Sequence, residues 1–251
     1  MMQPLTSGAR DAQIWGPNYW ISIEDYRPEL ASDIKPFFTT LAAREYKAGT
    51  RNFYVEVDAT KQDQVQAWFE LGFGLQHVSA VLQNFSLQLE PSALTIRRPE
   101  KSDIPAMAIL EQLLTLHQNE SPVFSLLKPD SIEEIEQEWS EDINSAELFT
   151  FVAEINGEVV GLAYGCSTEK SRLHSGVMRP ENSATFAFCA VLPEFRGQGI
   201  GKALASHVIS DLYQRGFTTI VTDWRSTNQQ ASQIWPTMGF TPTYFRLHRS
   251  L

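Results

Sequence analysis

Hydrophobic positions follow two rhythms along the chain. Leu148–Ile155 and Glu158–Ser167 alternate in the manner of half-buried strands. Between them stands Asn156-Gly157, a pair that tolerates the left-handed backbone of a tight hairpin turn. Ala184–Leu192 is a denser apolar run and predicts a further strand, and Asn52–Val57, Leu94–Arg97 and Thr218–Asp223 read the same way. The helical rhythm places Ile200, Ala203, Leu204 and Val208 on one face of a helix that ends near Gly216. Ser102-Asp103-Ile104-Pro105 opens another with capping residues and an early proline, continuing through Met107, Leu110, Leu113 and Leu114. Asp130–Asn144 predicts a third helix. From residue 94 onward the order is β-α-α-β-β-β-α-β-α-β, a mixed α/β layer with a parallel crossover at a glycine-rich loop.

A second regularity is a repeat. A shift of 167 positions lays Glu56–Phe73 onto Asp223–Phe240, with identities at Thr60/Thr227, Gln62/Gln229, Gln66/Gln233, Trp68/Trp235, Gly72/Gly239 and Phe73/Phe240. Roughly one identity would arise by chance at ordinary residue frequencies. The shared Trp-x-x-x-Gly-Phe predicts one supersecondary unit used twice: strand, helix, then Gly-Phe entering another strand. Under the same shift the glycine loop falls on Glu29-Leu30-Ala31-Ser32-Asp33-Ile34, which has no glycine and two carboxylates, and Asn228 falls on Lys61. The first copy therefore reads as degenerate, and it begins near Tyr19–Ile23, without the early elements of a full domain. Leu89-Glu90-Pro91-Ser92-Ala93 marks the expected boundary, giving a partial domain over 1–93 and a complete one over 94–251. The partial copy is expected to do structural, acceptor-lining or dimer-forming work.

Composition narrows the classes. The chain has 251 residues, 43% apolar, with a net charge of −10. The parts before and after residue 93 carry 7 basic against 11 acidic and 13 against 19, which sum to the 20 and 30 of the whole. Neither part is a basic module, so nucleic acid is an unfavourable partner. No run of about 18 apolar residues occurs, which excludes a membrane-spanning helix. The start, Met1-Met2-Gln3-Pro4-Leu5-Thr6-Ser7, does not read as a signal peptide. Cys166 and Cys189 make no disulfide framework, and five scattered histidines show no metal-ligand spacing. The expectation is a cytoplasmic globular protein without a metal.

The chemistry concentrates in Cys189-Ala190-Val191-Leu192-Pro193-Glu194-Phe195-Arg196-Gly197-Gln198-Gly199-Ile200-Gly201-Lys202. A strand ends, the chain turns through three glycines, and a helix begins. Glycines allow close backbone approach, and the N–H groups at a helix start suit a phosphate or pyrophosphate. A P-loop is excluded because Ala203 follows Lys202 and the glycine spacing is wrong. A dinucleotide fingerprint needs Gly-x-Gly-x-x-Gly at an early βα turn, whereas this chain has Gly-x-Gly-x-Gly late in the sequence.

Arg196, Gly199 and Gly201, preceded by Pro193 and followed by Asn228, Ala231, Trp235 and Gly239-Phe240, resemble the GCN5-related N-acetyltransferase (GNAT) family over roughly Leu94–Leu251. The resemblance implies a GNAT-type mixed central sheet, here in a tandem arrangement with an incomplete first copy. It also implies acetyl-CoA as cosubstrate and acetyl transfer to an amine. Carried over by position, the backbone amides of Arg196, Gly197, Gln198, Gly199, Ile200, Gly201 and Lys202 would hold the pyrophosphate. The edge of Cys189, Ala190 and Val191 would pair with the pantetheine arm, leaving the thioester carbonyl near the N–H of Cys189 or its neighbour, an oxyanion donor. Asn228 would contact the pantetheine region.

Two positions depart from the family pattern. Many members have a tyrosine where this chain has Trp235, whose indole N–H is no acid, so Trp235 is expected to pack against cofactor or core. Some carry a glutamate where this chain has Thr185. Asp223, His117 and Glu120 are the candidate bases, each with a plain structural alternative. The thiol of Cys189 reads as a small buried apolar group. Eight carboxylates between Asp130 and Glu147, without Lys or Arg, suggest either attraction of a cationic small-molecule or peptide amine or simply a solvated helix face. A catalytically silent acyl-CoA sensor is the competing function.

Overall fold

The computed structural model describes residues 19–21, 29–83, 94–125, 128–170 and 179–251. The expected boundary at 89–93, residues 22–23 of the first predicted strand and the start of the chain lie outside the described residues. The elements are β1 (Tyr19–Ile21), α1 (Ala31–Lys47), β2 (Asn52–Asp58), α2 (Gln62–Glu70), β3 (Gly74–Gln83), β4 (Thr95–Arg97), α3 (Ile104–Asn119) and α4 (Ile132–Asp142). There follow β5 (Leu148–Ile155), β6 (Glu158–Ser167), β7 (Ser183–Val191), α5 (Ile200–Gln214), β8 (Thr219–Arg225), α6 (Gln229–Thr237) and β9 (Thr241–Ser250). From residue 94 the order is the predicted one.

The chain divides into two compact units. One holds the described residues of Met1–Ala80 together with Asp223–Ser232 and Thr241–Leu251; the other holds Val81–Thr222 and Gln233–Phe240. A cut after residue 93 does not separate them, because β9 pairs antiparallel with β2 along its length, from Asn52↔Ser250 to Asp58↔Tyr244. A contiguous 94–251 domain thus differs from the observed compact units, and the reason is long-range strand pairing.

In the first unit the strand order is β1-β2-β9-β3, with β1 parallel to β2. Alternation along β2 sends Phe53, Val55 and Val57 into a core with Leu247 of β9 and with Ile34, Phe38, Val65 and Trp68 of α1 and α2. Phe38 meets Phe53, Trp68 and Phe73 edge-on, at centroid separations of 5.3, 5.7 and 5.1 Å. Tyr54 and Glu56, at the alternate positions of β2, belong to the opposite face.

In the second unit the strands run β8-β7-β6-β5-β4. Asn156 and Gly157 take φ of 52° and 85°, the turn expected between β5 and β6. Leu162 of β6 packs with α3 and α4 in a core that includes Met107, Leu110 and Trp139. Its neighbours Gly161 and Gly165 face α5 instead. A Cβ at Gly165 would stand 2.7 Å from the Thr185 carbonyl oxygen and 3.2 Å from Leu212 and Val208. Helix and sheet approach that closely only because the side chain is absent. Gly165→Ala is expected to destabilise by about 1–3 kcal/mol, read as a lower urea midpoint at unchanged slope.

The opening of α3 differs from expectation. Asp103 does not cap the helix; it accepts the Glu100 N–H at 2.7 Å and both terminal nitrogens of Arg97 at 2.7 and 3.0 Å. Arg97 accordingly holds the Asp103 carboxyl below its ordinary range.

The two β-α-β segments share a local geometry. Helix limits correspond at the shift of 167 (62 + 167 = 229, 70 + 167 = 237), as do the starts of β3 and β9 (74 + 167 = 241). Gly72 and Gly239 have φ of 81° and 94°. Phe73 N–H reaches the Trp68 carbonyl and Phe240 N–H the Trp235 carbonyl, both at 3.2 Å. The first segment has no counterpart of the glycine loop's sequence.

Candidate functional site

β7 pairs with β6 to its end but with β8 in parallel only over Ser183–Thr185 against Thr219–Val221. Where that ladder stops, the Thr222 hydroxyl takes over and donates to the Phe186 carbonyl at 3.1 Å. The register with β6 shifts between Tyr164 and Gly165, which oppose Phe188 and Phe186, so Ala187 is an extra, bulged residue and is exposed. Beyond the bulge, Leu192 N–H donates to Val160 at 2.9 Å, toward β6. Backbone alternation therefore turns the N–H and C=O groups of Cys189 and Val191 to the other edge, where β8 has left the ladder. This is the edge assigned from the sequence to an amide-rich ligand. The Ala187 bulge was not anticipated; an alanine gives no signal for it.

The loop beyond β7 is a short turn at Pro193–Phe195, then Gly197 and Gly199 with φ of 76° and 80°, the second forming the N-cap of α5. No heavy atom lies within 4 Å of a Cβ placed on either glycine, so backbone conformation requires glycine there and the space above them is open. The first intrahelical bond is Ala203 N–H to Gly199 C=O at 3.0 Å, leaving the first-turn amides of Ile200, Gly201 and Lys202 as outward donors. Gly201 is different: a Cβ there would make only ordinary contact, 3.7 Å from Val191. Arg196 turns back, its Nε donating to the Val191 carbonyl at 3.1 Å, and so ties the loop to the strand end. Gln198 and Lys202 are exposed, and Ala190 is buried in the core with α3.

Burial pushes the Cys189 thiol up to about 12, which favours the neutral thiol, and Sγ lies 3.7 Å from the Gly201 carbonyl. Trp235 packs edge-on to Phe186 at 5.2 Å and to Phe240 at 6.2 Å. Thr185 is buried against Thr168, hydroxyl to hydroxyl at 3.2 Å, so no base stands at that position.

The first unit holds Asn228 and Asp223. The Asn228 side chain accepts the Ala231 N–H at 3.2 Å and caps α6, which accounts for the Asn-x-x-Ala spacing without a ligand. Asp223 meets His77, Nε2 to Oδ2 at 3.2 Å, a partner the sequence did not single out. His117 and Glu120 close α3 through their backbone, Glu120 N–H reaching the His117 carbonyl at 3.3 Å. Among the described residues no side-chain hydrogen bond joins either to β7. On the acidic stretch, Ser131 and Glu134 form a reciprocal capping box, and Glu147 pairs with Lys170 at 2.8 Å, so two of the eight carboxylates have structural work. Among the described residues no group of His, Cys, Asp and Glu could hold a metal, and no helix is long and apolar enough to cross a membrane.

A strand end that runs into a glycine-cradled helix start is a site suited to an anionic, phosphate-bearing ligand. The Acetyltransferase (GNAT) family matches residues 110–240, more than half of the chain, and the chain belongs to that family. The [ribosomal protein bS18]-alanine N-acetyltransferase of Escherichia coli K12 is 34% identical over 65 residues, 26% of this chain and 44% of that protein. Its Salmonella typhimurium counterpart is 32% identical over the same lengths. The match thus spans less than half of these relatives. In three dimensions a GCN5-related N-acetyltransferase from Sphaerobacter thermophilus overlays with a TM-score of 0.54 at 15% identity, covering 79% of this chain and 59% of the other. That likeness concerns the fold.

Proposed function

We propose that the chain is an acetyl-CoA-dependent N-acetyltransferase that acts on a primary amine by direct attack in a ternary complex. The observation that carries this reading is the strand edge at Cys189–Val191 leading into a loop whose two left-handed glycines face open space. Pantetheine pairs with that edge, the pyrophosphate takes the first-turn amides of α5, and the Cys189 N–H receives the developing oxyanion. Asp223 takes the proton of the amine, and the CoA thiolate is protonated by solvent, since Trp235 cannot supply an acid. The acceptor is cationic in this reading, drawn by the exposed carboxylates of α4, Glu133 and Glu138 among them. The alanine acceptor named for the Escherichia coli relative makes an alanine-initiated peptide the first substrate to try. Residues 1–93 are a partial second copy without a cofactor site, with acceptor-lining or dimer-forming work, and the protein acts in the cytoplasm.

Calorimetry is expected to give one acetyl-CoA site per chain; two equivalent sites would refute the degenerate first copy. Gly199→Ala forces a side chain into left-handed backbone at about 1–2 kcal/mol and is expected to weaken binding by about 10-fold. Gly201→Ala should bind within about twofold of the parent, since its Cβ meets only ordinary contacts. Thiol release with an alanine-initiated hexapeptide, spermidine and kanamycin then separates enzyme from sensor. Tight binding without turnover of any amine selects the sensor, the reading that the packed Trp235 favours.

A further inference from the structure

The glycine loop leaves unused a buried polar cluster of the first unit. His77 on β3 and Arg246 on β9 are 7% and 5% exposed. The Arg246 guanidinium donates from Nε to the Gln76 side-chain oxygen at 2.8 Å and from Nη2 to His77 Nδ1. Arginine only donates, so Nδ1 accepts and the ring proton sits on Nε2. That N–H points at Asp223 Oδ2, 3.2 Å away. Burial first, and the Arg246 charge second, hold His77 down to about 3, so the imidazole is neutral and the contact is a directed hydrogen bond rather than an ion pair. The charged groups around it are Arg225 of β8 beside Asp223, and Glu56 and Tyr54 of β2 beside Arg246. Asp223 keeps 18% of its side-chain surface exposed, so it is oriented yet reachable.

We infer that His77 is a positioning residue for Asp223, and that Arg246 fixes the His77 tautomer, the three forming a one-way relay of donors that holds the carboxylate in one orientation. The inference rests on the reading of Asp223 as proton acceptor. In the step served, the amine nitrogen bonds to the thioester carbon as the C–S bond breaks. The amine proton passes to Asp223, and the electron pair leaves with the CoA sulfur, which solvent protonates. Asp223 then returns its proton to solvent, so that amine and acetyl-CoA give amide and CoA thiol.

The test uses the full chain saturated with acetyl-CoA and the best amine of the three above, with the Asp223 carboxyl followed by carbon NMR. His77→Phe is expected to lower kcat about 10- to 100-fold at an acetyl-CoA KM within about twofold, and to raise the Asp223 midpoint by about one pH unit. His77→Gln, which can still donate an N–H toward Asp223, should remain within about threefold in kcat. If the phenylalanine variant does not fold, His77→Asn, too short to reach Asp223, replaces it. A folded variant lacking the donor, with parental kcat and midpoint, overturns the relay. Full activity in Asp223→Asn overturns instead the reading of Asp223 as proton acceptor. If no amine turns over, the enzyme reading falls and the midpoint alone judges the relay.

Discussion

A chain reduced to residues 94–251 is expected to fail as a folded monomer, although it contains every element of the glycine-loop site. Its last strand, β9, lies between β2 and β3, both upstream of the cut. All seven register pairs from Asn52↔Ser250 to Asp58↔Tyr244 vanish with β2. Leu247, fully buried against α1 and α2, is uncovered at about 1.5–3 kcal/mol. Arg246 loses Gln76, His77 and the nearby Glu56, its partners in the first unit. In the second unit the end of β3 is lost as well: Leu82 accepts the Tyr213 hydroxyl at 3.2 Å, and Gln83 bonds Thr219 at 3.3 Å. These losses fall on a domain whose whole stability is ordinarily about 5–15 kcal/mol, and they leave bare strand edges that invite aggregation. Expression of both lengths, compared by gel filtration and thermal melting, tests this. A monomeric 94–251 chain melting within a few degrees of the full chain would sink it.

That expectation shows where sequence reading reaches and where it stops. β5 and β6 were legible to the residue because alternation and Asn156-Gly157 act locally. The glycine loop was legible because positive φ at Gly197 and Gly199 demands a particular residue type. Partners brought together over long separations were not. Nothing in Leu247 or Arg246 announces β2 as neighbour, and a lone histidine at position 77 gives no sign of Asp223, 146 positions away (223 − 77). Asn228 carried an ambiguity of another kind: the same amide suits a ligand or a helix cap, and in the fold its oxygen caps α6. The Gly161 and Gly165 pair on β6 was a signal in plain view, two glycines on one face where α5 comes close.

The His77 environment also sets a pH dependence of stability. Unfolded, His77 titrates near 6.5; folded, near 3, because burial and the Arg246 charge oppose protonation. The unfolded chain therefore binds this proton first as pH falls. The contribution of His77 is fully present above pH 6.5 and declines by about 1.4 kcal/mol per pH unit toward pH 3, reaching a loss of about 2–3 kcal/mol at pH 4.5. His248, stacked on Tyr54 at 4.5 Å, is also held below its ordinary value by burial and adds a loss of the same sign. The Asp103 carboxyl, lowered by Arg97, gives up its share only below its ordinary 3.8, outside this window. Urea unfolding at pH 7.0, 5.5 and 4.5 of the parent and of His77→Gln isolates the effect, since glutamine does not titrate. The gap in stability between the two is expected to shift by about 2–3 kcal/mol between pH 7.0 and 4.5, the parent losing more. Parallel pH profiles would mean that His77 titrates alike in the folded and unfolded chain, and then below about pH 6.5 its bond to Asp223 is an ion pair and not a directed neutral donor.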